Sequence, residues 1–275
     1  MHPSIFMLEK EWIEHKIVTR VPMFIFACGF LFFISLMLNT NLSANLSYQM
    51  EFSGDASNFN LKFANNINQF VAFSAGLLSI ILSSIYLPKT LRKERNEGSA
   101  MFWRSMPVSY ELTHGVKLVF GLIAIPLICS ILVLSANLLL WVLNIATDSQ
   151  LAQLAGQQSL LSVIENWFGF IARMLVVGLA LLPIACIALA ASQLFSSPIL
   201  VMTIAGYAVK WLSIGVFGFY GISNFFGAVL LIPFNTLMAP ELFASFTDAG
   251  VVNLIIYYVL GLFALGVSIV LSRTN

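Results

Sequence analysis

The sequence predicts an all-α integral membrane protein with six transmembrane helices. Composition is the first reason, because 59% of the 275 residues are hydrophobic and only 9% are charged. A soluble domain has about 45–50% apolar and about 25% charged residues. The other reasons are six long apolar segments and a very uneven distribution of Lys and Arg between them. An ordinary soluble enzyme and a disordered chain are both excluded, because a core of this size cannot hide so much apolar surface.

Residues 1–20 precede the first apolar segment and predict an amphipathic helix. Apolar side chains such as Ile5, Trp12 and Ile17 alternate with Glu and Lys. A Trp flanked by lysines is typical of a helix that lies in the membrane interface. A solvated helical tail is the alternative interpretation.

Six segments have about the 20 mostly apolar residues that a spanning helix needs. Their bounds are 21–38, 70–87, 116–145, 166–194, 198–221 and 251–271. Together with their connections they form a transmembrane domain over residues 21–275. We expect the first segment to be retained rather than cleaved as a signal peptide, because three Glu residues precede it and its apolar run is too long.

Positive residues predict the orientation of these spans. Ten of the 13 Lys and Arg residues lie in the N-terminal segment, in the loop 88–114 and its continuation to Lys117, or in the C-terminal tail. The loops of the opposite side contain only Lys62. Cytoplasmic loops of membrane proteins are enriched in Lys and Arg, so both termini are predicted to be cytoplasmic.

Two charged residues lie within predicted spans and are candidates for the substrate path or its gate. Lys210 is roughly 18 Å along the fifth span, near the bilayer centre. It either faces a wet path, where it would favour an anionic group, or pairs with a carbonyl or carboxyl group, or snorkels. Arg173 lies in the outer part of the fourth span. For Arg173 we favour a structural ion pair or a snorkelled side chain; the expected acidic partners are Glu165, Glu241 and Asp248.

Two connecting segments are too distinctive to be simple linkers. The loop 88–114 combines a mixed-charge stretch of good helix formers with an apolar stretch around Trp103. A short helix with charges and aromatic residues suits a docking surface for a soluble partner, and a generic positive loop is the alternative. The external segment 222–250 contains an apolar run too short to span, which predicts a re-entrant or interfacial piece.

The loop residues resemble those of a known family. The stretch from Glu94 to Ser109, which includes Gly98 and Pro107 and continues to Lys117, is similar to the loop after the second span in permeases of the type-2 ATP-binding-cassette (ABC) exporters. That family also has an amphipathic N-terminal helix, six spans and re-entrant segments before the last span. Ser99 stands where Thr is commoner in the family, which leaves the role of this position intact.

This resemblance implies a permease that dimerises with itself or with a sister permease in the inner membrane. Two separate ATPase subunits, which bind ATP and Mg²⁺, would sit beneath it, and substrate would pass between the two permeases. The loop after span 2 would contain the coupling helix, and the N-terminal helix would help hold that contact. The implied ATPase-docking residues are Leu91, Arg92, Glu94, Arg95, Glu97, Gly98, Ser99 and Pro107.

The residues also argue against several other functions. The chain has no G-x-x-x-x-G-K-[ST] motif, so ATP hydrolysis is expected on another chain and no cofactor is expected on this one. No span contains Asp, H-E-x-x-H is absent, and the three scattered Cys residues do not form a metal-binding pattern, so neither catalytic nor metal residues are expected. The near-neutral charge gives no reason to expect nucleic-acid binding. A secondary transporter or channel, and a non-transporting sensor or assembly subunit, remain as alternatives.

Overall fold

The computed structural model describes residues 3–38, 67–96, 109–146, 159–216, 218 and 220–274. Every regular element within these residues is helical, which confirms the predicted all-α class. A π-helical turn, Phe120–Ala124, joins α4 to α5. In chain order the helices are α1 (Pro3–Glu14), α2 (Lys16–Leu38), α3 (Ile67–Asn96), α4 (Tyr110–Val119), α5 (Ile125–Ala146), α6 (Leu160–Leu194), α7 (Pro198–Gly215), α8 (Gly221–Leu230), α9 (Ile232–Met238), α10 (Ala244–Ala249) and α11 (Val251–Thr274).

Six helical stretches in the described residues are long and apolar enough to cross a membrane. They overlap the six predicted segments in order, which confirms the number of candidate spans. The stretches are Lys16–Ser35, Asn68–Lys93, Tyr110–Leu143, Leu160–Leu194, Pro198–Gly215 and Val251–Arg273.

Several helix boundaries differ from the sequence prediction. The helices predicted to begin at residues 21, 116 and 166 begin at Lys16, Tyr110 and Leu160, and two helices end elsewhere than predicted. α3 continues through Pro88 to Asn96, so the mixed-charge part of the predicted loop 88–114 extends the second span instead of forming a separate helix. α7 ends at Gly215 and not at residue 221, and Gly218 has a φ of 62°. Glycine adopts this left-handed conformation without the steric cost that a Cβ brings, and such a residue ends an α-helix.

The segment predicted to be re-entrant, 222–250, contains three short helices. α8 and α9 meet at a bend of 43° and together form either a broken span or a re-entrant loop. Each is shorter than the about 20 residues needed to cross a bilayer alone. α10 then leads through Gly250 into α11.

The chain divides into two compact units, and each is described by itself. The first unit consists of Met1–His15, Ile80–Ile125 and Arg173–Asn275. The second consists of Lys16–Ser79 and Pro126–Ala172.

The core of the first unit packs the later half of α6 against the C-terminal helices. Ala180, Val229, Ile232, Ala249 and Tyr257 form one buried apolar cluster. It brings together residues from α6, α8, α9, α10 and α11. The short helices of the segment 222–250 are therefore held by packing against a long helix.

Pro183 creates a close contact between α6 and α11. Proline has no N–H, so the carbonyl of Leu179 lacks its usual helical partner. The hydroxyl of Tyr258 donates to that carbonyl at 3.0 Å. A Cβ on Gly261 would lie 2.6 Å from the Cα of Pro183, so only glycine allows this approach.

The π-helical turn ends two residues before Pro126. As at Pro183, the proline has no N–H, so a carbonyl in the preceding turn lacks its usual helical partner. The N–H of Ile125 reaches back to the carbonyl of Phe120. The hydroxyl of Ser83 donates to the carbonyl of Gly121 at 2.6 Å, which ties α3 to the turn. Kinks and bulges of this kind are expected where proline removes a helical hydrogen bond.

The second unit contains α2, the first part of α3, α5 and the first part of α6. The indole N–H of Trp167 donates to the hydroxyl of Ser130 at 3.2 Å, which links α6 to α5. Cys129, Val133 and Val163 are buried in the same helices.

Candidate functional site

A buried ion pair joins the N-terminal helix to the last turn of α4. The ammonium of Lys117 lies 2.6 Å from Oε1 of Glu11. Glu11 is 2% exposed and Lys117 is 1% exposed. A buried charge is tolerated only when it is paired and hydrogen-bonded, so the two residues depend on each other.

Three more side chains complete the site. Tyr86 donates its hydroxyl to Oε2 of Glu11 at 2.7 Å. Thr90 accepts a hydrogen bond from Lys117 at 2.9 Å and donates to Oε2 of Glu11 at 3.3 Å. Nε2 of His15 lies 3.4 Å from the same carboxylate oxygen. We call Glu11, His15, Tyr86, Thr90 and Lys117 the Glu11 cluster.

The electrostatics of the cluster favour a charged carboxylate. Burial alone raises the pKa of Glu11, but the charge of Lys117 and the hydrogen bonds from Lys117 and Tyr86 outweigh this effect, with His15 contributing attraction. The pKa of Glu11 is therefore lowered below its ordinary value of 4.5. Opposite charge and donated hydrogen bonds both stabilise the ionised form.

The sequence of α1 explains why Glu11 points inward. Met7 and Glu11 are four residues apart, so they share one face of the helix, and both are buried. The opposite face exposes large apolar side chains, among them Phe6, Trp12 and Ile13. α1 thus places a carboxylate inside the protein and aromatic residues outside, which is the reverse of a helix on a soluble protein.

Aromatic packing completes the environment of the cluster. The ring of His15 meets the ring of Tyr86 edge-on with centroids 4.7 Å apart. The ring of Tyr86 also packs against that of Phe120, with centroids 5.0 Å apart. Phe120 belongs to the π-helical turn, so the turn and the cluster share one packed region of the first unit.

The position of the cluster in the chain makes it a candidate functional site. Tyr86 and Thr90 lie on α3 before the segment 97–108, and Lys117 lies on α4 after it. Lys93 also donates to the backbone carbonyl of Glu14 at 2.9 Å. The cluster therefore ties both ends of the predicted docking loop to each other and to α1.

The structure describes only part of the predicted docking residues. Leu91 and Arg92 are half-buried on α3, and Arg92 donates to the carbonyl of Phe195 at 2.6 Å. Glu94 and Arg95 lie on the last turn of α3. The remaining predicted residues, Glu97, Gly98, Ser99 and Pro107, lie outside the described residues.

Arg173 binds backbone carbonyls and not the expected carboxylates. Its guanidinium donates to the carbonyls of Thr236 at 3.2 Å and Leu237 at 3.1 Å, and also to that of Ala239. These carbonyls end α9, where unpaired C=O groups attract a cation. The ion pair expected with Glu165, Glu241 or Asp248 is replaced, because α9 presents several acceptors at once to this side chain.

Lys210 lies on α7 and its side chain is exposed in the single chain. Within the described residues it has neither an ion pair nor a side-chain hydrogen bond. α7 as a whole is little covered by the rest of the chain, and Tyr207 and Trp211 are 72% and 74% exposed. The structure therefore does not bring Lys210 and Arg173 together.

A second polar network joins α4, α6 and α11. Nδ1 of His114 donates to the carbonyl of Tyr110 at 2.8 Å, which leaves Nε2 to accept from the hydroxyl of Ser268 at 2.9 Å. The amide of Gln193 donates to the hydroxyls of Ser268 and Ser272, each at 2.9 Å. This network holds the ends of three candidate spans together.

Sequence reasoning did not identify the Glu11 cluster, and none of its five residues was among the predicted site residues. Glu11 was one of several acidic residues on α1, and Lys117 was counted with the positive loop residues. The available signal was the presence of a Lys directly before a long apolar run, since such a Lys requires a partner when buried. Comparison of the chain with family models, curated proteins and solved structures gives no match.

Proposed function

We propose that this chain is the permease subunit of an ATP-driven exporter, as its sequence resemblance implies. Two copies, or one copy and a sister permease, would form the substrate path in the inner membrane. Separate ATPase subunits, carrying ATP and Mg²⁺, would bind at the loop after the second span. The observation that carries the proposal is the Glu11 cluster, which gives that loop a rigid base.

The cluster suits mechanical coupling because it connects all the chain segments around the loop. A force on the segment 97–108 reaches Thr90 through α3 and Lys117 through α4. The buried ion pair with Glu11 keeps these helices and α1 in one geometry. Since packed interiors transmit displacement rather than absorb it, the loop can move the spans as a unit.

The continuity of α3 supports the same mechanism. This helix runs without interruption from Ile67 to Asn96 and contains the candidate span Asn68–Lys93. Its last two turns carry the predicted docking residues Leu91, Arg92, Glu94 and Arg95. Movement of an ATPase against these turns would be passed to the span by the helix itself.

Lys210 supports a path between two permeases. It lies in the last third of α7, five residues before the helix ends at Gly215 and so closer to one end than the predicted span implied, and an exposed charge within a candidate span is still costly against lipid. A second permease facing α7 would place Lys210 beside a wet path. It would then favour substrates with an anionic group, and Arg173 would stabilise the segment 222–250 at the outer gate.

The first test is purification of the chain from its native membrane in mild detergent, followed by mass spectrometry and an ATPase assay. We expect recovery of a soluble Walker A protein whose ATP hydrolysis is stimulated by the permease. Recovery of the chain without any ATPase in several detergents would contradict the proposal. In that case a secondary transporter or channel would become the better interpretation if substrate flux depends on the chain, and a sensor or assembly subunit if it does not.

The second test separates docking from folding. The double variant Glu94→Arg/Glu97→Arg is expected to uncouple ATP hydrolysis from transport while leaving the protein level unchanged. Glu165→Arg is the control, because it reverses an exposed charge that the proposal assigns neither to the docking surface nor to the substrate path. Normal coupling in the first variant would exclude the assigned docking surface.

The third test concerns the path. Lys210→Met is expected to slow export of an anionic substrate at normal protein level, and Lys210→Arg is expected to restore part of the rate. Export by Lys210→Met at the wild-type rate would exclude Lys210 from the path.

A further inference from the structure

An open cleft with a basic wall lies between the end of α3 and the start of α7. Its volume is about 670 Å³. Lys89, Arg92 and Lys93 line one side, and Ser197 and the first turn of α7 line the other. The cleft lies wholly within the first unit. Among the described residues that line it, none is acidic.

The basic side chains share one helix face. Lys89, Arg92 and Lys93 have the i, i+3, i+4 spacing that places residues side by side on an α-helix. Lys89 is exposed, and in the described part of the chain no carboxylate lies within ion-pair distance of Lys89 or Arg92. Arg92 uses one of its five N–H donors on the carbonyl of Phe195, which fixes the guanidinium at the cleft and leaves other donors for a ligand.

The opposite wall adds backbone donors. The first turn of an α-helix has N–H groups without intrahelical acceptors, and these attract anions. α7 begins at Pro198, and Ser197 before it makes no side-chain cap. The N-terminus of this 18-residue helix, which carries a partial positive charge, therefore faces the basic wall formed by Lys89, Arg92 and Lys93.

The lining is apolar on the side that continues into a candidate span. Ile199 and Leu200 are 44% and 57% exposed and belong to the apolar helix α7. The cleft thus combines a basic end with an apolar end at the level where two candidate spans emerge. This is the chemistry of a phospholipid at the membrane surface, whose phosphate is anionic and whose acyl chains are apolar.

We propose that this cleft binds an anionic phospholipid, with its phosphate between Lys89 and Arg92 and its acyl chains along Ile199 and Leu200. The bound lipid would join the segment that leads into the docking loop to the start of α7. Anionic lipid would then stabilise the geometry of this region. The inference requires only that the helices span a membrane and does not depend on the proposed ATPase.

The test uses the full chain in nanodiscs of phosphatidylcholine that contain a small fraction of phosphatidylglycerol. Native mass spectrometry counts the lipids that the protein retains. We expect retention of phosphatidylglycerol over phosphatidylcholine. The double variant Lys89→Gln/Arg92→Gln should lose this preference by about 30-fold, since it removes two cations and each cation near a membrane surface contributes about 1 kcal/mol. If the double variant folds poorly because the Arg92 contact is lost, the single variant Lys89→Gln still tests the proposal. Lys89 has no ion pair or side-chain hydrogen bond in the described residues, so its replacement should leave the fold intact.

Arg273→Gln is the matched control, because Arg273 is an exposed cation outside the cleft, paired with Glu111 at 3.3 Å. It is expected to retain phosphatidylglycerol like the wild type. Equal retention of both lipids by the wild type, or unchanged preference in both Lys89 variants, would overturn the proposal.

A separate arm distinguishes a lipid from a soluble phosphate. Inorganic phosphate at millimolar concentration is added to the protein in pure phosphatidylcholine, and the melting temperature is measured. The proposal expects stabilisation by phosphatidylglycerol that depends on Lys89 and Arg92, and no comparable effect of inorganic phosphate. Equal stabilisation by inorganic phosphate would identify a soluble anion as the ligand and overturn the lipid assignment.

Discussion

Lys117 and Glu11 are 106 positions apart in the chain, yet their charged atoms lie 2.6 Å from each other in a buried site. The pair connects the N-terminal helix to the last turn of α4, in the first part of the candidate span Tyr110–Leu143. Thr90 and Tyr86 provide further hydrogen bonds from a third helix. Most of the polar capacity of the carboxylate is thereby used, which is the condition under which a buried ion pair persists.

Removing Lys117 should destabilise the first unit strongly. Lys117→Met leaves the carboxylate of Glu11 buried without its partner, and breaking a buried pair costs about 3–5 kcal/mol. We expect a lower melting temperature and rapid proteolysis of α1. Glu11→Leu/Lys117→Met should recover most of the loss, because no unpaired charge remains.

The control for this experiment is Lys16→Met, since Lys16 is exposed at the start of α2. It should leave the free energy of unfolding within about 0.5 kcal/mol of the wild-type value. A Lys117→Met protein as stable as this control would show that the pair contributes nothing to the fold.

The attachment of α1 should depend on pH through Glu11. Its pKa is lower in the folded protein than the ordinary value of 4.5, so the folded state favours the ionised form. The resulting stabilisation is complete above about pH 5 and is lost as the pH falls through the lowered pKa. The protection factors of the α1 amides, which compare the measured exchange rate with the intrinsic rate at the same pH, should therefore fall only below about pH 5.

The substitution Glu11→Gln should remove this part of the acid sensitivity. The comparison is made in a His15→Asn background, because an ordinary histidine titrates at about pH 6.5 and His15 contacts the same carboxylate. Identical acid profiles with and without the Glu11→Gln substitution in this background would assign the acid sensitivity to other groups.

Arg173 should control the order of the segment around α9. Arg173→Met removes the donor for the carbonyls of Thr236, Leu237 and Ala239, and each buried unpaired carbonyl costs about 1–3 kcal/mol. We expect faster hydrogen exchange over residues 232–239 with little change in α1. Arg20→Met, at an exposed position of α2, provides the comparison. Unchanged exchange in 232–239 would indicate that packing alone holds α9.

Gly261 and Gly266 offer a matched pair of substitutions on α11. A Cβ on Gly261 would lie 2.6 Å from the backbone of Pro183, whereas a Cβ on Gly266 meets nothing within 4 Å. Gly261→Ala should cost about 1–3 kcal/mol through overpacking. Gly266→Ala should be neutral or stabilising, because alanine has the higher helix propensity by up to about 1 kcal/mol. Equal melting temperatures for the two variants would contradict the close approach of α6 and α11.

The sequence predicted which segments form helices more accurately than the residues at which those helices begin and end. Apolar runs of spanning length revealed six helices, because length and composition are local properties. The end of α3 at Asn96 was not predicted, because the apolar run ends at Leu87 whereas the helix continues through the charged residues that follow. α7 was predicted too long, because the left-handed conformation of Gly218 is a property of the folded chain.

In the candidate site, too, the residue types could be read from the sequence but their contacts could not. A Lys at the start of a span and a Glu on an amphipathic helix are each visible in the sequence. Their pairing is not visible, because several acidic residues of α1 are equivalent until the helix packs. The partners expected for Arg173 were carboxylates. In the structure Arg173 instead binds the carbonyls at the end of α9, because packing brings the end of this helix within hydrogen-bond distance of the guanidinium.

By itself, therefore, the sequence determined the helical class, the number of candidate spans and the uneven distribution of charge, because these follow from local hydropathy and composition. Only the tertiary structure decided that Glu11, Tyr86, Thr90 and Lys117 share one buried site. It also decided that Lys89 and Arg92 face the first turn of α7 across a cleft. Contacts between distant residues depend on which helix faces meet, and that is settled by packing of the whole unit rather than by any local pattern.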